Sequence, residues 1–377
     1  MNHSLLLKGF EVELFTGKDD GTVIGIASKA AQALTGFITE PDERNIEYTT
    51  PPHTAYDQQL VFLLEPRLRL RHWLSQHELT LLPGSTLSLG DSNHFERSNP
   101  GNIYHDLIET KYGTRVVTAS VHINFGLRDM EMLFASCRLV RCEAALLLAL
   151  SASSPFLDGK ICGVHSQRWK QFPLTPLEVP LFVDHKHYVD WMKSELLVGK
   201  MYNERHFWTS VRPNGTARPH NVNRLELRIC DLISDPKILL AITAFIELRL
   251  IELMNNPENC DPLRISKLTP TELATLADSN DQKAAQSSLD SMLHDWHDGE
   301  SISARDWIGQ KLESMVPLAE AYGLTKVLSP VNQLLIEGNQ SMIWLKEIEK
   351  GLTISQVLSK EIANMAKQDE DLNNALG

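Results

Sequence analysis

Phe10-Glu11-Val12-Glu13-Leu14 alternates apolar and acidic residues with a period of two. On a strand this puts Glu11 and Glu13 on one face and Phe10, Val12 and Leu14 on the other. The same arrangement recurs along the chain. In Ser120-Val121-His122-Ile123-Asn124-Phe125, Ser120, His122 and Asn124 share a face; in Leu225-Glu226-Leu227-Arg228-Ile229, Glu226 and Arg228 do. Ile46-Glu47-Tyr48 is a shorter case with one carboxylate. Any one segment reads as an ordinary half-solvated strand. Together they have an unusual polar face, because glutamate is depleted in strands and neighbouring like charges repel.

Repelling carboxylates call for something positive between them. Hard divalent cations such as Mg²⁺ or Mn²⁺ prefer oxygen ligands and accept an occasional imidazole. A carboxylate-rich face with one His and one Arg also suits phosphoryl transfer from ATP, where metals clamp the phosphates and arginine stabilises charge on the transferring group. ATP would have to be held without a P-loop: Gly17-Lys18 lacks the required spacing, and neither GxGxxG nor HExxH occurs.

Around these segments the first 260 residues mix strand and helix signals. Thr22 to Leu34 predicts a helix closed by Gly36, and Leu79 to Leu89 a hairpin turning at Pro83-Gly84. Long helices are predicted at Leu127 to Ser151 and Pro236 to Asn255. The expected fold class is α+β, an antiparallel sheet with one polar metal-binding face, backed by helices. Arg168 is expected in a loop after Ser166, and Arg212 in a second loop, held extended by Pro213 before the Asn214-Gly215 turn. His185 and His187 beside Asp184 suggest helix capping, and Arg67, Arg69 and Arg71 a solvated helix face.

The polar stretch Asn255-Asn256-Pro257-Glu258-Asn259 predicts a boundary dividing a catalytic domain, 1–260, from a helical region, 261–377. Of the net charge of −12 over 377 residues, the second part carries −8, from 10 Lys+Arg against 18 Asp+Glu. It looks wholly helical, with a capping box at Thr269-Pro270-Thr271-Glu272 and helices after Ser303 and Thr353; Ser279 to Ser301 reads as a loop or a mobile helix. The acidic balance disfavours nucleic-acid and anionic-membrane partners. The longest apolar run, Ala144 to Leu150, is far short of the roughly 20 residues of a membrane span, and no signal-peptide pattern opens the chain, so a cytoplasmic location is expected. Five cysteines without CxxC spacing predict reduced thiols, and Cys162-Gly-Val-His165 is too isolated for zinc.

In this order the motifs resemble the glutamate-cysteine ligase family (γ-glutamylcysteine synthetases) and its carboxylate-amine ligase relatives, which have a glutamine synthetase-like catalytic fold. The residues are Gly9-Phe10-Glu11-Val12-Glu13; Glu40-Pro41 with Glu47; Val121-His122-Ile123-Asn124-Phe125; Ala152-Ser153-Ser154-Pro155-Phe156 followed by Ser166-Gln167-Arg168; Trp208 with Arg212-Pro213; and Glu226-Leu227-Arg228. The overall length looks most like the cyanobacterial branch. The resemblance implies ATP-dependent joining of the L-glutamate γ-carboxylate to the L-cysteine amine, the first step of glutathione biosynthesis. It implies metal positions at Glu11, Glu13, Glu47, His122 and Glu226, with Glu40 a further candidate. Arg228 would lie beside the γ-phosphate and act in catalysis with Glu226, with Asn124 also facing ATP. Arg168 would hold a carboxylate of the glutamate substrate, and Arg212, Ser166 and Trp208 would face substrate. Two features depart from the family pattern: Asp42-Glu43-Arg44-Asn45 where plant-type members have Gly-Gly, and Asn124 where many carboxylate-amine ligases have a second His, which favours cysteine as the amine. Nothing after Asp261 matches a catalytic motif, so a structural role is expected there, with a homo-oligomer as an option. The alternatives are a γ-glutamyl ligase for a different amine and a noncatalytic metal-binding or assembly module.

Overall fold

The computed structural model describes residues 4–376. Its strands are β1 (Lys8–Gly17), β2 (Phe37–Thr39), β3 (Asn45–Thr49), β4 (Thr80–Leu82), β5 (Val121–Gly126), β6 (Phe156–Leu157), β7 (Lys160–Ile161), β8 (Val211–Asn214), β9 (Arg224–Leu227), β10 (Met292–His294) and β11 (Ser301–Ser303). Seven form one antiparallel sheet in the order β2-β3-β1-β5-β9-β8, with β4 pairing the far end of β1. Alternation drives the layering: Phe10, Val12, Leu14, Val121, Ile123, Phe125, Leu225 and Leu227 are all buried. These residues join one apolar core with the long helices Met130–Ser151 and Pro236–Asn255. The expected α+β architecture is thus present, with the carboxylates on the opposite face of the sheet.

Register sets which side chains meet. Glu11 lies opposite His122, Glu13 opposite Glu47, and Glu226 opposite both Asn124 and Arg212. A shift by one residue in any pair would send its acidic set into the apolar core, so the burial of the reverse face fixes the polar constellation.

Several local expectations are corrected by long-range pairing. The Leu79 to Leu89 segment is not a hairpin: Thr80–Leu82 pairs with Phe15, Thr16 and Gly17 of β1, and Leu89 bridges Thr22. The helix expected from Thr22 begins only at Ala27, because Val23 bridges Gly17 and Ile24 donates to Thr16. Arg212 lies on a strand, not in a loop. β8 is a sheet edge, where Pro213 can be tolerated. Arg168 stands on the short helix Gln167–Gln171, capped by Ser166. Asp184 does cap the helix His185–Leu197.

The C-terminal region is not wholly helical. The capping-box helix runs from Pro270 through Ser287, and the polar stretch after it folds into the β10–β11 hairpin. This region shares the core with the sheet: Trp296 donates to Glu143, and Asp261 pairs with buried Arg138. The arginines expected on a solvated face are also reassigned. Arg67 and Arg71 both pair with Asp369 of the last helix, Ile354–Leu376, at 3.0 and 2.9 Å, and only Arg69 is exposed. No helix among the described residues is long and apolar enough to cross a membrane, and all five cysteines are unpaired.

Asp369 has no solvent exposure and is shared by two largely buried guanidiniums. Removing its charge strands both, so Asp369→Asn should lower unfolding stability by about 3–5 kcal/mol in a urea titration. A loss under about 1 kcal/mol, the level of a surface pair, would show that this contact does not anchor the last helix.

Candidate active site

Over the polar sheet face lies a cavity of about 300 Å³. Its floor carries Glu11, Glu13, Glu47 and His122; Glu40, from the end of β2, closes one side. Two groups of ligand-type side chains meet there, Glu11–His122–Glu226 and Glu13–Glu40–Glu47, and within each the donor atoms lie within 4.8 Å of one another. The register explains both groups, apart from Glu40. That residue is brought in by the β2–β3 turn, where Arg44 is fastened to Asp42 at 2.7 and 2.8 Å. The residues Asp42-Glu43-Arg44-Asn45 therefore form an ordered turn that delivers Glu40 to the cavity.

The two groups differ in electrostatics. Glu226 is fully buried and accepts from Arg212 Nε (2.7 Å) and Nη2 (3.0 Å), Asn214 Nδ2 (2.6 Å) and Arg228 Nη1 (2.7 Å). Burial pushes its pKa up, but Arg212, Arg228 and His122 outweigh that and hold it well below the ordinary carboxylate value. Glu11 is also lowered: burial opposes ionisation, and the contact from Glu11 Oε2 to His122 Nδ1 at 2.8 Å overcomes it. The second group is less well compensated: only Glu13 has a cationic neighbour, His122 Nε2 at 3.6 Å, and it also accepts from Ser120 Oγ at 2.8 Å. Burial raises Glu13 and Glu40, and Glu47 is pushed up to about 10 by burial and then by the charges of Glu40, Glu13 and Glu11. Three carboxylates this close, two of them buried and Glu40 half-buried, must share protons or a cation. An all-oxygen group beside one with a single imidazole is a donor set that suits a hard divalent ion.

The remaining expected residues divide. Arg228 and Trp208 line the cavity, Trp208 packing on His206 and Tyr112. Arg168 reaches it from below, with Nη1 and Nη2 donating to the Ile229 and Arg228 carbonyls at 3.0 and 2.7 Å. Arg212 is occupied by Glu226 and the Phe207 carbonyl. Ser166 is not brought to the cavity: its hydroxyl donates to Asp231 at 2.8 Å and accepts from Trp169 N. Asn124 donates to Glu11 at 3.1 Å and faces a second cavity of about 400 Å³, which shares Glu11 with the first. Two lining cations were missed in the sequence, Arg205 and Arg218. Arg218-Pro219 repeats the Arg-Pro dipeptide that drew attention to Arg212; Arg205 gives no such signal.

This sheet, with its helices and carboxylate face, places the molecule among the glutamate–cysteine ligase folds. It superposes on the glutamate–cysteine ligase of Francisella tularensis, solved in complex with AMP, with a TM-score of 0.73 at 14% identity, covering 100% of this chain and 94% of that one. A bifunctional glutathione synthetase from Pasteurella multocida gives 0.71 at 16% identity over 97% of this chain and 52% of that one. A model of glutamate-cysteine ligase family 2 matches residues 7–368, and the chain belongs to that family. Similar curated relatives include provisionally named glutamate–cysteine ligases 2 of Sorangium cellulosum, 28% identical over 59% of this chain, and Gloeobacter violaceus, 26% identical over 63%. The chain spans 56% and 62% of the length of those two relatives.

The Glu13–Glu40–Glu47 group predicts a pH-dependent response to divalent cations. Glu47 ordinarily titrates near 4.5 and in the fold near about 10, so the stability linked to its proton is complete below about pH 4.5 and is lost as pH rises towards 10. A cation that replaces the proton restores it. The gain in Tm from Mg²⁺ over EDTA-treated protein should be small near about pH 5.5 and grow up to about pH 9, and Glu47→Gln should flatten the trend. An equal gain at every pH would mean that cations bind elsewhere.

Proposed function

We propose that this protein is an ATP-dependent ligase that joins the γ-carboxylate of L-glutamate to the amine of L-cysteine. The supporting observation is the pair of carboxylate groups, Glu11–His122–Glu226 and Glu13–Glu40–Glu47, in one arginine-rimmed cavity. In this reading ATP phosphorylates the γ-carboxylate, the cysteine amine attacks the resulting acyl phosphate, and phosphate and γ-glutamylcysteine are released. The product is the dipeptide from which glutathione is made.

Mg²⁺, or Mn²⁺, would be held by the two groups and would neutralise and clamp phosphate oxygens. The chain's own residues do the rest. Arg228, anchored through Nη1 on Glu226, keeps its other nitrogens for negative charge developing on the transferring phosphoryl group. Arg212 and Asn214 hold Glu226 ionised and in place, which keeps both it and Arg228 pre-oriented. Arg168 fixes the backbone at Arg228 and Ile229, under the reacting groups. Trp208 and Tyr104 wall the cavity, limiting water that would hydrolyse an acyl phosphate. Asn124 and the second cavity beyond Glu11 leave room for the nucleoside. Nothing in this scheme needs a covalent enzyme intermediate, since positioning and electrostatics suffice.

The test is a coupled assay of ADP release with ATP, L-glutamate and Mg²⁺, adding L-cysteine last and then a panel of other amines. Release should depend on the amine and be greatest with cysteine. A different preferred amine would redefine the acceptor, and no release with any amine would support the noncatalytic alternative. Glu11→Gln and Glu226→Gln should each lower turnover by at least about 10²-fold while circular dichroism stays unchanged. Turnover near wild type in either variant would refute the role given to these carboxylates.

A further inference from the structure

The cavity is lined by Arg168, Arg205, Arg212, Arg218 and Arg228, and they differ in what they already bind. Arg212 spends all three side-chain nitrogens on Glu226 and the Phe207 carbonyl. Arg168 spends both terminal nitrogens on backbone carbonyls, and Arg228 is tethered to Glu226. Arg218 has no hydrogen bond among the described residues: its Nη1 is buried without a partner, and the nearest carboxylate oxygen, Glu226 Oε2, is 4.0 Å away and already taken by Arg212 and Asn214. Its side chain is only 12% exposed. Arg205, on the turn Glu204–His206, also makes no side-chain hydrogen bond or ion pair among the described residues, and lines the same cavity. A largely buried guanidinium without an acceptor is costly unless a ligand supplies one.

Resting on the ligase reading above, we infer that Arg218, assisted by Arg205, is the specificity clamp for the α-carboxylate of an amino-acid substrate. Each of the two amino acids in that reaction carries an α-carboxylate that the chemistry leaves untouched. The committed arginines leave little for it: Arg212 has no free nitrogen, Arg168 keeps only a buried Nε, and Arg228 serves the phosphoryl group. The planar fork of arginine matches a carboxylate with two parallel hydrogen bonds, a geometry that lysine does not offer. Because such a contact is made equally in ground and transition states, it sets KM more than kcat.

The experiment is steady-state ADP release by the full chain with Mg²⁺ for Arg218→Gln, Arg218→Lys and Arg205→Gln, each substrate varied in turn. Arg218→Gln should raise the KM of one amino acid by about 10-fold or more, with kcat within about threefold and the KM of ATP unchanged. Arg218→Lys should recover part of the loss, and Arg205→Gln should act on the same KM but more weakly, because Arg205 is solvent-exposed. A raised KM for L-glutamate assigns the clamp to the activated substrate; a raised KM for L-cysteine assigns it to the attacking one. Unchanged KM for both, a change in the KM of ATP alone, or equal kcat losses in the Gln and Lys variants would overturn the clamp. Calorimetric binding of L-glutamate and L-cysteine in the presence of Mg²⁺ separates this from failure of the ligase reading. If the unmodified protein releases no ADP with any amine, that reading fails; weakened amino-acid binding in Arg218→Gln would still uphold the clamp, and binding that is unchanged or absent would refute it.

Discussion

Carboxylates on adjacent strands project into one cavity, and the repulsion between them is the constraint to which the rest of this molecule is adjusted. It cannot be relieved by turning the side chains away, because the apolar residues between them are locked into the core on the reverse face. Relief must come from positive groups, and it is uneven. Glu226 is surrounded by Arg212, Arg228 and Asn214, and Glu11 rests on His122, whereas Glu13, Glu40 and Glu47 face one another with only the far nitrogen of His122, 3.6 Å from Glu13, beside them. The poorly compensated trio is what gives the site its demand for a cation.

The arginines form a second tier. With Glu226 counted, five carboxylates and five guanidiniums meet around the cavity, but the guanidiniums gather at Glu226 and leave the Glu13–Glu40–Glu47 trio with raised pKa values. Much of the scaffold holds these arginines still. Asp231 accepts from Ser153 N, Ser154 Oγ and Ser166 Oγ and lies 3.6 Å from Arg168 Nη1, so the Ser-Ser-Pro segment and Ser166 are tied to the position of Arg168. Farther from the cavity, the C-terminal region is fastened to the rest of the fold through Trp296 of the β10–β11 hairpin on Glu143 and Asp369 of the last helix on Arg67 and Arg71.

The strand pattern was readable because period-two alternation is local: each of Phe10–Leu14, Val121–Phe125 and Leu225–Leu227 announces its own faces. Helix limits set by caps were readable for the same reason, as at Thr269 and Pro236. The failures share a cause. Leu79–Leu89 took its structure from β1 and the arginines of Tyr56–Ser75 from a helix about 300 residues away, while Thr22–Ile26 and Val211–Asn214 took theirs from cross-strand partners nearer in the chain, which a segment's own pattern does not show.

By itself the sequence determined that acidic, imidazole and guanidinium groups would share one sheet face, since that follows from alternation and from the need to bury the intervening apolar residues. Only the tertiary structure decided which of them meet. Strand order put Glu13 against Glu47, the β2–β3 turn added Glu40, and the β8–β9 pairing joined Arg212 to Glu226 while leaving Arg218 free. Which guanidinium is already bonded and which is open to a ligand depends on distances between segments, and residue types carry no record of those.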